Sequence, residues 1–284
     1  MAVALITGGL RGIGRALTAE YLKNGWSVLT LSRKDYPDFR AEVEKSATGG
    51  AWLRHMDVDL DDLEKVEAAM RKIAADASIE AAGGLRTVIN NAASQGPAGT
   101  LNEIAFEDWI HTQVVNLHAP VLICKMLLPL LKKHGGAIIN FSGGGGAKAQ
   151  FFFSAYSTSK AAIVRFTECL ARELQEDAPN VFAYTVTPGF VVTEIHQTAL
   201  NGGVEKAREF HTFVEQQLKK GGNDPARIAK FCRQLADPQH GRFSGRFFSA
   251  AFDSLDDAKL AASLEAQPDL FTLRRIDDFA FKKA

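Results

Sequence analysis

Tyr156 and Lys160 stand four residues apart in Tyr156-Ser157-Thr158-Ser159-Lys160, a spacing that puts a phenol and an ammonium on one face of a helix. Free tyrosine titrates near ~10, too high for acid–base work at neutral pH. A neighbouring cation favours the phenolate and is expected to lower that value, bringing Tyr156 toward useful proton transfer. Such a pair is commonplace in helices, so its company in the chain decides what it means.

That company begins with Thr7-Gly8-Gly9-Leu10-Arg11-Gly12-Ile13-Gly14, between an apolar run and a segment of helical period. Glycines there let the backbone turn tightly and approach a pyrophosphate, while the free N–H groups of the helix start face its charge. The next strand ends Leu31-Ser32-Arg33-Lys34. An acid at that point suits the ribose 2′-hydroxyl of NAD, whereas an arginine suits a 2′-phosphate. Arg33, with Arg11 as a second cation, points to NADP; Asp35 comes two residues later than the usual acid. No metal is expected. The histidines are scattered, and Asp57-Val58-Asp59-Leu60-Asp61-Asp62 starts like a calcium loop but has Asp62 where glycine is required and Ala68 at the twelfth position.

These groups need a frame, and short β-branched runs alternating with helical segments predict one: a parallel sheet covered by helices. Strands are expected at Val3–Ile6, Ser27–Leu31, Trp52–Met56, Thr87–Ile89, Ala137–Phe141, Val181–Val186 and Phe247–Ala250. Helices are expected near 13–24, at the Leu63, Val66, Met70 and Ile73 face, at 107–132, 155–175 and 225–235. The first strand, glycine turn, helix and second strand form one βαβ unit of about thirty residues. The fold class is a doubly wound, Rossmann-like α/β sheet in a single domain, 1–250, with a C-terminal extension, 251–284.

Taken together and in order, these residues resemble the short-chain dehydrogenase/reductase family. The matching positions are Thr7-Gly8-x-x-x-Gly12-x-Gly14, Asp57-Val58, Asn90-Asn91-Ala92-Ala93, Asn116, Ser142, Tyr156-x-x-x-Lys160 and Pro188-Gly189 with Thr193. The resemblance covers about residues 3 to 193, and more weakly Ser244-Gly245. It implies carbonyl–alcohol interconversion with NADP(H), in which Tyr156 passes the proton and Lys160 holds the nicotinamide ribose. Asn116 would anchor a water linking Lys160 to solvent, Asp57 and Val58 would touch adenine, and Asn90 would steady the central strand. Thr193 would bond the carboxamide or a phosphate, and Ile13, Ser32, Ala92, Pro188 and Gly189 would complete the cofactor channel. A homodimer or homotetramer is implied as well.

One position departs from the family pattern. Its substrate-orienting serine falls, counting back from Tyr156, at Gly143 in Phe141-Ser142-Gly143-Gly144-Gly145-Gly146. Ser142 is one residue early, which in a regular strand turns it to the opposite face, although glycines permit unusual angles that re-aim it. Ser142 is the preferred substitute and Ser154 the second. The same departure motivates the rival reading, a non-catalytic NADP-binding redox sensor or partner-binding module.

Residues 194–222 are polar and helix-prone and stand where the family carries a substrate lid, with His196 and His211 as candidate cleft residues. Phe151-Phe152-Phe153 suits a pocket wall, core packing or a subunit contact. The tail from Phe252, including Leu270 to Ile276, suits docking on a second subunit or closing the site. At 46% hydrophobic and 23% charged the chain has material for a large core. Thirty-three Lys+Arg balance 33 Asp+Glu, so no net field favours nucleic acid or anionic lipid. Three separated cysteines argue against a disulfide framework. The N-terminal run is too short for a signal segment, and Val121–Leu131, broken by Lys125 and Pro129, is too short to span a bilayer. A cytoplasmic protein acting on a small molecule is the expectation.

Overall fold

The computed structural model describes residues 2–193 and 208–274. The sequence's strand runs become β1 (Ala2–Thr7), β2 (Trp26–Ser32), β3 (Leu53–Asp57), β4 (Leu85–Asn90), β5 (Gly136–Phe141), β6 (Val181–Thr187) and β7 (Phe247–Ser249). They form one sheet in the order β3-β2-β1-β4-β5-β6-β7. Every pairing is parallel. The strand order reverses between β1 and β4, and doubly wound sheets bind ligands beyond the strand ends at such a point.

A sheet buried on both faces needs strands apolar throughout, and all six residues of β1 are buried. Ala4 and Ile6 face one core cluster, with Leu17, Tyr184, Ile228 and Phe248. Val3 and Leu5 face the other, with Met70, Ile123 and Leu127. The helices that line these two clusters are α1 (Gly12–Lys23), α3 (Leu63–Ala74), α6 (Ala119–His134), α8 (Ser154–Asp177) and α10 (Pro225–Leu235). The α10 start matches its sequence signal: Asp224 accepts from the Ala226 N–H at 2.8 Å, with Pro225 in the first turn. Asp62, in the rejected calcium-like run, caps α3 by accepting from the Lys65 N–H at 3.0 Å.

The remaining helices are α2 (Pro37–Glu44), α4 (Ala77–Ala81), α5 (Phe106–Gln113), the one-turn α7 (Gly144–Ala147), α9 (Arg208–Lys219) and α11 (Ala258–Ala266). α2 and α4 have no clear periodic signal, because each buries only one or two side chains. The helix expected at 107–132 is α5 and α6 joined through a π-helical turn, Val114–His118, in which the Ala119 N–H reaches back to the Val114 carbonyl. Pro120 accounts for part of this, since it has no N–H for the Asn116 carbonyl four residues earlier. The joined run of 29 residues, Phe106–His134, is by length and composition apolar enough to cross a membrane. The shorter Val121–Leu131 window understated it. Its apolar length has a use within the fold, for Ile123, Cys124, Leu127 and Leu131 are buried in the second core cluster.

Residues 252–274 return along the sheet edge. The Phe247 N–H of β7 donates to the Phe271 carbonyl at 2.8 Å, and the Phe271 ring packs edge-on against Phe248. Arg246 donates to the carbonyls of Leu264, Leu270 and Pro268, gathering the end of α11 and the following turn onto β7.

Candidate active site

The glycine turn is built for close approach. Gly8 and Gly12 take φ of +64° and +51°, the left-handed region that glycine enters freely. A Cβ on Gly14 would overlap the Gly8 carbonyl, so α1 begins directly over the turn. A Cβ on Gly12 would meet the Thr193 methyl at 3.1 Å, which brings the end of the Pro188–Thr193 stretch over the same turn. The Thr7 hydroxyl accepts from the N–H groups of Asn91 and Ala92, each at 3.0 Å, and so ties the ends of β1 and β4 together at the switch point. This cradle fits a dinucleotide diphosphate: glycines stand where side chains would block it, beside the N-terminus of α1.

Along the neighbouring strand ends, Ser32 donates to the Lys34 carbonyl and Val58 donates its N–H to the Ser32 carbonyl at 3.1 Å. Arg33 is exposed and, among the described residues, has no hydrogen-bond or ion-pair partner. Asp35 is engaged elsewhere, by Arg40 at 2.8 Å and by the Tyr36 N–H at 2.7 Å. Arg11 is exposed on the turn itself, and Asp57 is exposed with its carboxylate 3.1 Å from His55 Nε2. Asn90 lies inside the sheet, where it donates to the Asn140 side chain at 2.8 Å. Gly189 has φ +66° and lies against Asn223, whose side chain donates to the Pro188 carbonyl.

Tyr156 and Lys160 share the first turns of α8, as their spacing requires. Lys160 is buried, donates to the Phe141 carbonyl at 2.9 Å, and has its Nζ 5.8 Å from the centre of the Tyr156 ring. Burial pushes the Lys160 ammonium down to about 8. The Tyr156 phenol, expected from its neighbour to fall, is instead pushed up to about 12 by burial. Desolvation of the phenolate, not the neighbouring ammonium, sets the direction here.

Asn116 sits in the π-helical turn. Its side chain accepts from the Ser94 N–H at 2.8 Å and donates to the Ser94 carbonyl at 2.8 Å and to the Ser159 hydroxyl at 3.0 Å. It thereby fastens the segment after β4 to α8, and Pro120, four residues on, has no N–H to offer its backbone carbonyl.

The glycine run after β5 lies directly on α8. A Cβ on Gly143 would fall on the Tyr156 hydroxyl, and one on Gly146 would fall on the Ser142 hydroxyl. Ser142 is buried and donates to the Lys160 carbonyl at 3.0 Å. Ser154 lies two residues from Tyr156 on another helix face, in an apolar cavity of about 340 Å³ with Leu101, Ile104, Phe106, Trp109 and Thr158. The three phenylalanines divide: Phe153 is buried, Phe152 carries φ +65°, and Phe151 is exposed. His196, the first part of the lid region and the chain from Arg275 lie outside the described residues, as does the side chain of His211. Sequence reasoning passed over Ser94, Ser159, Asn223 and Gln150, which carry no motif spacing and acquire their places only through the fold.

Comparisons with known proteins agree with this geometry. The family model described as short chain dehydrogenase matches residues 2–202. Benzil reductase ((S)-benzoin forming) of Bacillus cereus is 26% identical over 243 residues, covering 84% of this chain and 95% of that protein. Among solved structures, 3-oxoacyl-[acyl-carrier protein] reductase from Brucella melitensis in complex with NAD superposes with a TM-score of 0.73 at 21% identity, covering 88% of this chain and 95% of that one. A candidate NAD(P)-dependent gluconate 5-dehydrogenase from Beutenbergia cavernae, with NADP bound at low occupancy, gives 0.73 at 24% identity and covers 88% and 94%. The chain belongs to the short-chain dehydrogenase family of oxidoreductases, Rossmann-like proteins that act on alcohol and carbonyl groups with NAD or NADP.

Proposed function

We propose that this protein reduces a small carbonyl compound to an alcohol with NADPH, and runs the reverse reaction with NADP. The observation that carries the reading is the placement of Tyr156 and Lys160 on one face of α8, beside Asn116, whose side chain donates to the Ser159 hydroxyl between them. When bound, the nicotinamide supplies or accepts the hydride. Tyr156 gives its proton to the carbonyl oxygen as charge develops there. Lys160 would hold the nicotinamide ribose hydroxyls, and its ammonium would draw the phenol down from the high value that burial alone imposes. The Asn116 carbonyl is suited to hold a water through which Lys160 exchanges protons with solvent. Thr7, Gly8, Gly12, Ile13, Gly14, Ala92, Pro188, Gly189 and Thr193 shape the channel, Asp57 and Val58 flank the adenine, and Asn90 keeps β4 fixed to β5.

NADP is favoured over NAD because Arg33 is exposed with no partner among the described residues, while Asp35 is held by Arg40. Ser142, tied to the Lys160 carbonyl, acts in this reading by fixing the turn of α8 that carries the lysine. The site belongs to one unit, residues 1–250 with residues 194–222 as substrate lid, and residues 251–284 form the extension. The protein works in the cytoplasm as a homo-oligomer, with neither nucleic acid nor membrane as a partner.

The test is NADPH oxidation across aldehydes, ketones and quinones by the native protein and Tyr156→Phe. Turnover is expected to fall by ~10² or more in the variant, with NADPH affinity unchanged. The alternative, an NADP-binding sensor, has Gly143 in its favour, since the tyrosine hydroxyl fills the place of the usual serine. Tight NADPH binding with no turnover by the native protein supports the sensor.

A further inference from the structure

The run Gly143–Gly145 presents three polar groups and no side chain of its own. Positions for a Cβ on Gly143, Gly144 and Gly145 fall respectively on the Tyr156 hydroxyl, at 3.3 Å from Gln150 Nε2, and at 3.0 Å from the Ser157 hydroxyl. Tyr156 is the proton donor of the proposed reaction. Gln150 has no part in that reaction or in the core. Its Oε1 is buried without a hydrogen-bond partner, and among the described residues its Nε2 has none either. A buried carbonyl oxygen left unpaired is costly, and native structures seldom tolerate one without a use, while the Nε2 of this half-buried side chain stays open to solvent.

The chain also holds this amide in place at a cost. Phe152, two residues on, takes φ +65°, a conformation that a bulky residue rarely adopts. Its carbonyl accepts from the Gly99 N–H at 2.9 Å, and the Phe153 N–H returns to the Gln150 carbonyl at 3.3 Å. The backbone from Gln150 to Phe153 is therefore fixed, and strain of this kind collects where a side chain must be aimed.

We propose that Gln150 is a specificity-determining residue whose carboxamide takes a second substrate oxygen, on the carbon next to the one being reduced. This rests on the reductase reading. Where the family's serine is missing, the glycine run leaves the substrate's vicinal oxygen free to reach past Gly144 to the amide. The carboxamide serves either form of that oxygen, donating from Nε2 to a carbonyl or accepting at Oε1 from a hydroxyl. The substrate class is then the vicinal dicarbonyl, reduced to an α-hydroxy ketone, with simple ketones as poor substrates. A site built to pair a polar group discriminates strongly against the analogue that lacks its partner.

The experiment compares 1-phenyl-1,2-propanedione with propiophenone, which has the same skeleton without the second oxygen, as substrates of native protein, Gln150→Leu and Gln150→Glu. The native protein is expected to favour the dione at least tenfold in kcat/KM. Gln150→Leu should lose about tenfold on the dione, stay within threefold on propiophenone, and melt no lower than native because an unpaired polar group has gone. Gln150→Glu, which accepts but cannot donate, should also lose the dione preference. Equal losses on both ketones with a lower melting temperature make Gln150 a structural residue and overturn the proposal, as does an unchanged dione preference or a native preference for propiophenone. Native protein that turns over neither ketone, nor any compound of the wider panel, fails at the reductase reading itself and takes this inference down with it.

Discussion

At the scale of single residues, the site is governed by what burial does to charge. The Lys160 ammonium is pushed down to about 8 from a free value of 10.5. Between those values the unfolded chain carries a proton that the folded chain has shed, so folding stability rises with pH across that window. The contribution is complete above about pH 10.5 and disappears as the pH falls through 8; the whole difference corresponds to roughly 3 kcal/mol. Tyr156 has the opposite sign, since the folded phenol keeps its proton to about 12 and the unfolded one releases it near 10. Stability from that source therefore declines above pH 10. Urea midpoints of the nucleotide-free protein should climb from pH 8 to 10 in native protein and remain flatter in Lys160→Met; parallel curves would refute the assignment. Arg33 offers a second residue-scale prediction. Charge-assisted hydrogen bonds are worth about 1.5–3 kcal/mol, so Arg33→Asp should weaken NADPH binding by roughly 10- to 100-fold while leaving NADH within threefold. Fluorescence titration with both nucleotides decides it, and equal weakening removes the arginine from the selectivity argument.

At the scale of elements, what the sequence made legible was whatever has a period or a fixed spacing. β1, the glycine turn and α1 were readable because a short apolar run, glycines and helical period follow one another within thirty residues. Tyr156 and Lys160 were readable as a pair because α8 has to place them on one face. The π-helical turn was half readable, through Pro120, but the i−5 bond that closes it depends on how α5 and α6 pack. The use of the four glycines was not readable: each clears a specific atom of α8 or Gln150, and that contact exists only once β5 and α8 are side by side. Nor was the tail. Its attachment runs through Arg246, a single arginine in no motif, whose guanidinium reaches the carbonyls of Leu264 and Leu270 at 3.0 and 2.7 Å and that of Pro268. An edge strand of three residues is otherwise open to pairing with another chain, and the tail covers it. Arg246→Ala leaves those carbonyls without their donor and should destabilise the protein by about 1–3 kcal/mol, with new limited-proteolysis cuts confined to 257–274. Unchanged digestion would show that Phe271 on Phe248 holds the tail unaided.

At the scale of the whole molecule, helices cover both faces of the sheet and the tail covers the β7 edge, yet among the described residues an apolar region stays uncovered. Leu101, Phe106 and Phe151 are 76%, 67% and 84% exposed, and Ile110 follows Phe106 by one helical turn of α5. Phe106 stacks on Trp109 at the rim of the cavity that also takes in Ser154 and Thr158. Clusters of large apolar side chains on a surface with balanced charge mark association sites more often than solvent-facing ones. The patch joins the start of α5 to the start of α8, the two helices that carry or adjoin the Asn116, Tyr156 and Lys160 group, so a second subunit seated there would stiffen the site without entering it. Light scattering after size exclusion should return a multiple of the 30.9 kDa chain mass for native protein. Phe106→Glu should shift the distribution toward the single chain, because a buried unpaired carboxylate is heavily penalised. Phe252→Glu, at a phenylalanine that is 77% exposed but on the turn after β7, serves as the control and should leave it unchanged. A native protein that runs as one chain would mean that this patch meets something other than a second copy. Dissociation by both variants alike would move the interface away from α5.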